Sequence, residues 1–261
     1  MKALAARRHH RLAPVLLLLL ALLATGAVYA VVQPASADAA TAAATSDDIS
    51  AGQKLFQANC ATCHGASAEG TDDAPSLIGV GAASVDFQVG TGRMPAQMSG
   101  TQIEAKEVQF DDDQIAQLAA YVASLGAGPS IPTEEQVDAT EGDAANGMAI
   151  FRTNCAMCHN AVGAGGALSE GKYAPSLLDT SATHIYEAML TGPQSMPVFN
   201  DANITPEEKR DVIAYLAEQS EGSPGGLTLG SLGPVSEGLW AWVIGIGLLI
   251  GAAVWIGAKS S

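Results

Sequence analysis

Basic residues are scarce in this chain: 12 Lys and Arg stand against 27 Asp and Glu. All the acids fall between Gln33 and Leu239, and only Lys54, Arg93, Lys106, Arg152, Lys172, Lys209 and Arg210 offset them there, a net of about −20. So acidic a segment repels a phosphate backbone, which excludes nucleic acid as a partner. It suits an exported soluble domain, and equally an acidic face that steers a basic protein. Cysteine is scarce too, with four in all. Charge is missing altogether from two runs, residues 12–32 and 239–258. Each is about 20 residues, the length that spans a bilayer as helix. There is no bundle of such runs to hold a membrane-embedded haem, and no iron–sulfur motif.

The four cysteines fall into two copies of one motif, Cys60-Ala-Thr-Cys63-His64 and Cys155-Ala-Met-Cys158-His159. This is the attachment signature of c-type haem. Two thiols at that spacing add across the vinyl groups of one porphyrin, and the adjacent imidazole binds its iron. A redox disulfide, a structural disulfide or a zinc site are the plainer readings. A thioredoxin-like motif would occur once, inside a βαβ pattern, and no such pattern is present. A zinc site would leave the histidine after each pair unexplained. Two covalent haems are therefore expected.

The interior is a duplication. Ala51-Gly52-Gln53-Lys54-Leu55-Phe56 precedes the first motif, and Asn146-Gly147-Met148-Ala149-Ile150-Phe151 precedes the second. Ala-Pro-Ser-Leu follows at 74–77 and 174–177, then Met94-Pro95 and Met196-Pro197, then helical stretches at 114–125 and 207–218 with Tyr121 and Tyr215. The copies differ in two places. His64 to Pro75 is 11 residues but His159 to Pro175 is 16, and the first copy has an insertion around 99–108.

Local signals predict helices. Thr205-Pro206-Glu207-Glu208 reads as a capping box with proline at the first helical position. Asp111-Asp112-Asp113 reads as a cap with favourable charge, and Gly126 as the stop of that helix. Residues 126–145 lack apolar periodicity and read as a linker, as do 222–234. The alanine-rich stretch 39–45 reads as a mobile tether.

Each motif histidine leaves one axial position on its iron. Thioether sulfur fills it in Met/His cytochromes, and Met94 and Met196 are the expected donors. Each precedes a proline, which stiffens the loop, and follows a glycine-containing turn. Filling core space is the commoner role of methionine. Met98 is the alternative donor in the first copy, Met189 and His184 in the second. His184 more often would be a surface or packing residue.

These features resemble class I cytochrome c domains in tandem. The resemblance implies a mainly α fold in which the first and last helices of each copy cross. Gly52, Phe56 and Tyr121, and Gly147, Phe151 and Tyr215, would sit at the crossings. It also implies that the carbonyls of Pro75 and Pro175 accept from His64 and His159, orienting the rings. With its apolar ends, the chain resembles the dihaem cytochrome c subunit of the actinobacterial quinol:cytochrome c reductase, the cytochrome bcc complex. That implies an electron-carrying subunit of an oxidoreductase and translocase, with no catalytic residue of its own. It would pass electrons from the Rieske centre of a menaquinol-oxidising complex to a haem–copper cytochrome c oxidase, with a cytochrome b subunit alongside. A dihaem subunit of another extracytoplasmic dehydrogenase or oxidase is the alternative; a dihaem peroxidase would need an open iron.

The expected organisation is residues 1–37 as a signal peptide or membrane anchor, 38–46 as tether, 47–126 as the first domain and 127–142 as acidic linker. Residues 143–221 are the second domain, 222–238 a linker and 239–258 a transmembrane helix. At the N-terminus two readings stand: length favours an anchor, and Ala35-Ser36-Ala37 favours cleavage. In either case the basic flank stays inside, placing the haem domains on the extracytoplasmic face of the cell membrane. Trp240, Trp242 and Trp255 suit the interfaces of the C-terminal span, and Gly245, Gly247 and Gly251 give it a smooth strip for another helix.

Overall fold

A computed structural model describes residues 15, 18–25, 44–98, 100, 102–221 and 234–259. Residues 1–40 and 41–261 form separate units. Of the first, residues 18–25 are helical; the Ala35-Ser36-Ala37 triplet lies outside the described residues, as do most of the tether and the second linker.

The fold is mainly α. The first copy holds α1 (Ser46–Asn59), the haem-motif turn α2 (Ala61–His64), α3 (Ala82–Gly90) and α4 (Asp112–Ser124). After α5 (Glu134–Val137), the second copy repeats the order in α6 (Ala144–Asn154), α7 (Ala156–His159), α8 (Ala182–Thr191) and α9 (Pro206–Ser220). The predicted caps form. Thr205 and Glu208 make both halves of a capping box with Pro206 inside it, and Asp111 and Gln114 make another. Each satisfies two orphan backbone groups of its helix.

The crossings are duplicated closely. An added Cβ at Gly52 on α1 would lie 1.9 Å from the Gln117 carbonyl oxygen of α4. At Gly147 on α6 it would lie 1.9 Å from that of Asp211 on α9. Only glycine lets these backbones touch. One turn on, Phe56 packs on Tyr121 with ring centroids 5.3 Å apart, and Phe151 on Tyr215 at 5.5 Å. These rings are buried and nucleate the two cores. In the second copy Asp211 also accepts from the Asp143 amide at 2.8 Å and from Asn146 at 2.7 Å, clamping α9 to the start of α6. Gly52→Ala and Gly147→Ala should each cost roughly 3 kcal/mol, the upper end for overpacking. Thermal unfolding should fall by ten degrees or more at about 4–8 °C per kcal/mol.

The structure adds detail to two local readings. Gly126 stands directly past the end of α4, which closes at Ser124 with a right-handed Leu125 as cap, but its own backbone is not left-handed. Its missing side chain instead permits close passage over Gly79, where an added Cβ would lie 3.0 Å from the Gly79 nitrogen. The segment after it is ordered as well. Ala83 donates to the Pro129 carbonyl at 3.1 Å, Thr133 and Gln136 box the start of α5, and Gln136 donates to the Tyr186 hydroxyl at 3.2 Å. Ile131 packs on the first core and Val137 on the second. Single anchors and backbone bonds hold this strap, which is why no periodicity betrayed it.

The five extra residues of the second copy form a hairpin, β1 (Gly166–Ala167) against β2 (Tyr173–Ala174), antiparallel. It meets the insertion of the first copy. Gln102 donates to the Tyr173 carbonyl and accepts from the Tyr173 amide, both at 2.8 Å. The Ile103 amide donates to Gln194 at 3.1 Å. The two places where the copies differ are thus places where the domains join. The C-terminal helix α10 (Pro234–Lys259) contains an apolar stretch, Gly238–Ala258, long enough to cross a membrane. Leu248, Leu249 and Ile250 on it are exposed.

Candidate functional site

Each haem motif is built the same way. The helix before it ends at the first cysteine, Cys60 or Cys155, which closes α1 or α6 and caps the short helix that follows. That turn buries the histidine. His64 is 8% exposed and His159 9%. The His64 Nδ1 donates to the Pro75 carbonyl at 2.8 Å, and the His159 Nδ1 to that of Pro175 at 3.0 Å. A carbonyl can only accept, so Nδ1 carries the hydrogen and Nε2 keeps its lone pair. Burial holds the His159 imidazole below its ordinary value, against the pull of the Pro175 carbonyl. Each ring is thus fixed by its Nδ1 bond with the Nε2 lone pair left for another partner.

The loops that return to these histidines are pinned by glycine. Gly70 and Gly165, both with positive φ, donate to the carbonyls of His64 and His159 at 2.7 and 2.9 Å. Tyr215 adds a bond at 2.7 Å to the Ala161 carbonyl, fastening the stretch after the second motif to α9.

The thiols are unbridged. Burial, and then Cys63, pushes the Cys60 thiol up to about 11. Burial and Cys158 do the same to Cys155, to about 11.

A cavity of about 400 Å³ opens in the second copy, lined by Cys155, Cys158, His159, Pro175 and Met196. These side chains share one mostly apolar hollow, and they fit a c-type haem. Met196 comes from the loop after α8, which turns on Gly192 with φ of 60°. Met189 also lines the cavity, from α8 itself, at 2% exposure. In the first copy, Met94 packs against the core with Cys60 and Leu77, on a loop that turns at Gly92 with φ of 70°. The Met94 amide donates to Gln88 at 2.8 Å, and Lys106 from the insertion donates to the Pro95 carbonyl at 2.8 Å. Met98 is 78% exposed.

Sequence reasoning missed one part of the second cavity. Phe87, Arg93 and Gln102 of the first copy form part of its wall. Arg93 lies over the Phe87 ring, 4.9 Å from its centroid, and is the neighbour of Met94 in sequence. Nothing in a single-domain motif signals that wall; the duplication creates it. His184 is part of it too, packed edge-on against Phe87 with ring centroids 6.0 Å apart.

Fold and site together define two c-type cytochrome domains in one chain. The cytochrome c family model matches residues 49–126, and the one described as cytochrome c oxidase, cbb3-type, subunit III matches residues 142–216. Over the length of one domain, the chain is 33% identical to cytochrome c6 of Limnospira maxima, covering 31% of this chain and 97% of that protein. Longer relatives narrow the assignment. The chain is 46% identical to the cytochrome bc1 complex cytochrome c subunit of Corynebacterium efficiens, covering 85% of this chain and 82% of that protein. It is 44% identical to the protein of the same name from Mycobacterium tuberculosis, covering 97% and 93%. The chain belongs to the family of cytochrome c subunits of the cytochrome bc1 complex.

Proposed function

We propose that this chain is a membrane-anchored dihaem subunit of a menaquinol:cytochrome c reductase that carries electrons from the Rieske centre to a haem–copper cytochrome c oxidase. The observation that carries the reading is the repeated histidine geometry, a buried imidazole fixed by a proline carbonyl at 2.8 Å in one copy and 3.0 Å in the other. Relatives over most of the chain are named subunits of the bc1 complex, which favours the reductase over the oxidase subunit that the second domain alone resembles.

In this reading Cys60 and Cys63 attach one haem c covalently, and Cys155 and Cys158 another. Haem c supplies reversible one-electron chemistry when bound. His64 and Met94 are the axial donors in the first domain, His159 and Met196 in the second. Pro75 and Pro175 set ring orientation and basicity through the histidine Nδ1–H. The cytochrome b and Rieske iron–sulfur subunits are partners, and the membrane is crossed by α10. The haem domains lie on the extracytoplasmic face.

Purification in mild detergent tests the reading. A haem stain should colour the denatured band, and b-type haem and an iron–sulfur signal should co-purify. A colourless band would refute covalent attachment, and recovery of the chain with neither partner signal would refute the reductase. Deleting residues 239–261 should release the haem domains from the complex. Retention of the truncated chain in the membrane complex would rule out α10 as the docking element. The mature N-terminus, read from the same preparation, decides between a signal peptide and an anchor at residues 1–37.

A further inference from the structure

Three donor groups meet where the two cytochrome domains join. Asp86 stands on α3 of the first, and His184 and Glu187 one turn apart on α8 of the second. A ligand atom from each lies within 4.8 Å of the others. Glu187 is wholly buried, at 0% exposure, and among the described residues no N–H or hydroxyl donor reaches its carboxylate oxygens; burial and the Asp86 carboxyl against it push Glu187 up to about 10. A buried carboxylate left this way is strongly unfavourable, and such groups in native proteins are paired or bind a cation.

The geometry around Glu187 points to what satisfies it. The His184 Nε2 lies 3.7 Å from the Asp86 Oδ2. That is too long for a hydrogen bond. It is within the span of two ligands that each sit about 2.0–2.2 Å from one zinc ion. Gly90 lets the backbone of α3 pass close to the ring nitrogen, where an added Cβ would come within 3.0 Å of it. A proton shared by Asp86 and Glu187 would leave the His184 Nε2 facing Asp86 across 3.7 Å without a hydrogen bond, whereas a divalent cation engages all three groups.

We propose that Asp86, His184 and Glu187 bind one zinc ion that fastens the first cytochrome domain to the second. One imidazole and two carboxylates suit a borderline cation such as zinc. Asp86 and His184 are about a fifth exposed, so water can complete a tetrahedral set. Burial holds the His184 imidazole below its ordinary value; Asp86 pulls the other way and Arg93 adds to the fall. The ring therefore offers a lone pair. Two carboxylates balance the charge of the ion, which removes the repulsion that Asp86 and burial impose on Glu187. The clamp lies on the contact between α3 and α8, beside the second cavity, so it would fix how the two domains face each other.

The test uses the full-length, haem-loaded protein in detergent, treated with chelator and then titrated with Zn²⁺. Elemental analysis after gel filtration should find one tightly held zinc per chain. Absorption at the zinc edge should show nitrogen and oxygen scatterers. Glu187→Gln and Asp86→Asn should each retain zinc at least ~10-fold more weakly, with haem absorbance unchanged. The wild-type titration decides the matter even if Glu187→Gln fails to fold. Absence of saturable zinc uptake overturns the proposal. So does a sulfur-ligated zinc, which would be metal on thiols of haem-free chains. A protonated-carboxyl infrared band that survives zinc excess and vanishes in Glu187→Gln would reveal a shared proton instead, and would overturn it as well.

Discussion

Replacing Met196 with alanine should drop the potential of the second haem by on the order of a few hundred millivolts, a sizeable part of the ~0.8 V that axial ligation commands. It should also let the reduced protein bind carbon monoxide at that haem. The reason is that a thioether donor raises the potential of Met/His cytochromes and occupies the sixth position. Met196 stands on a loop locked by the left-handed Gly192, with its amide donating to the Pro193 carbonyl at 3.0 Å. Met189 supplies the control. It is buried on α8 as packing, so Met189→Ala should cost about 2–5 kcal/mol of stability while leaving ligation intact. Met94→Ala should act on the first haem as Met196→Ala does on the second. Met98→Ala should be silent, because that side chain is 78% exposed. Redox titration with carbon monoxide difference spectra checks all four. An unchanged spectrum and potential in Met196→Ala would transfer the role to Met189 or His184.

How far the sequence spoke can be judged from particular residues. Helix starts were legible because Thr205-Pro206-Glu207-Glu208 and Asp111-Asp112-Asp113-Gln114 carry their own hydrogen-bond partners within four residues. The crossings were legible through resemblance. Gly52 and Gly147 alone are two glycines among 28, and only the aligned phenylalanines and tyrosines single them out. The stop of α4 falls where Gly126 marks it, but glycine serves two purposes. At Gly126 the absence of a Cβ admits a neighbouring chain rather than a left-handed turn.

What stayed hidden is the joint between the copies. A repeat is recognised by what it shares, whereas docking is built from what it does not. Gln102 lies in the insertion of one copy and Tyr173 in the extra hairpin of the other, and their paired bonds at 2.8 Å have no signature at either position. The same holds for Asp86 and Glu187, which lie 101 positions apart and belong to no motif. His184 stood out only as an alternative donor in the second copy, and these two neighbours could not be read from its position. Long-range polar contacts of this kind follow from tertiary packing, which periodicity and propensity do not encode.

Quinol-driven oxygen uptake by isolated membranes should be nearly unaffected by added soluble cytochrome c. The domains are not beads on a string: the strap at 127–142 packs on both cores, and α3 touches α8 across the joint. Arg93 and Phe87 of the first domain wall the cavity of the second, which brings the two haem-bearing units into direct contact. One end of such a unit can face a donor while the other faces an acceptor. Tethering then replaces bulk encounter with a fixed local concentration, and a diffusing carrier has nothing to add. Salt gives an independent check. The interior carries a net charge of about −20, so a shuttle reaching it by diffusion would be steered by charge and slowed steeply as ions screen it. Docked transfer should instead vary little across ionic strength. Uptake measured with and without added cytochrome c, from low to high salt, separates the two. Absolute dependence on the added carrier, or a steep fall with salt, would leave an ordinary reductase that hands its electrons to a mobile partner.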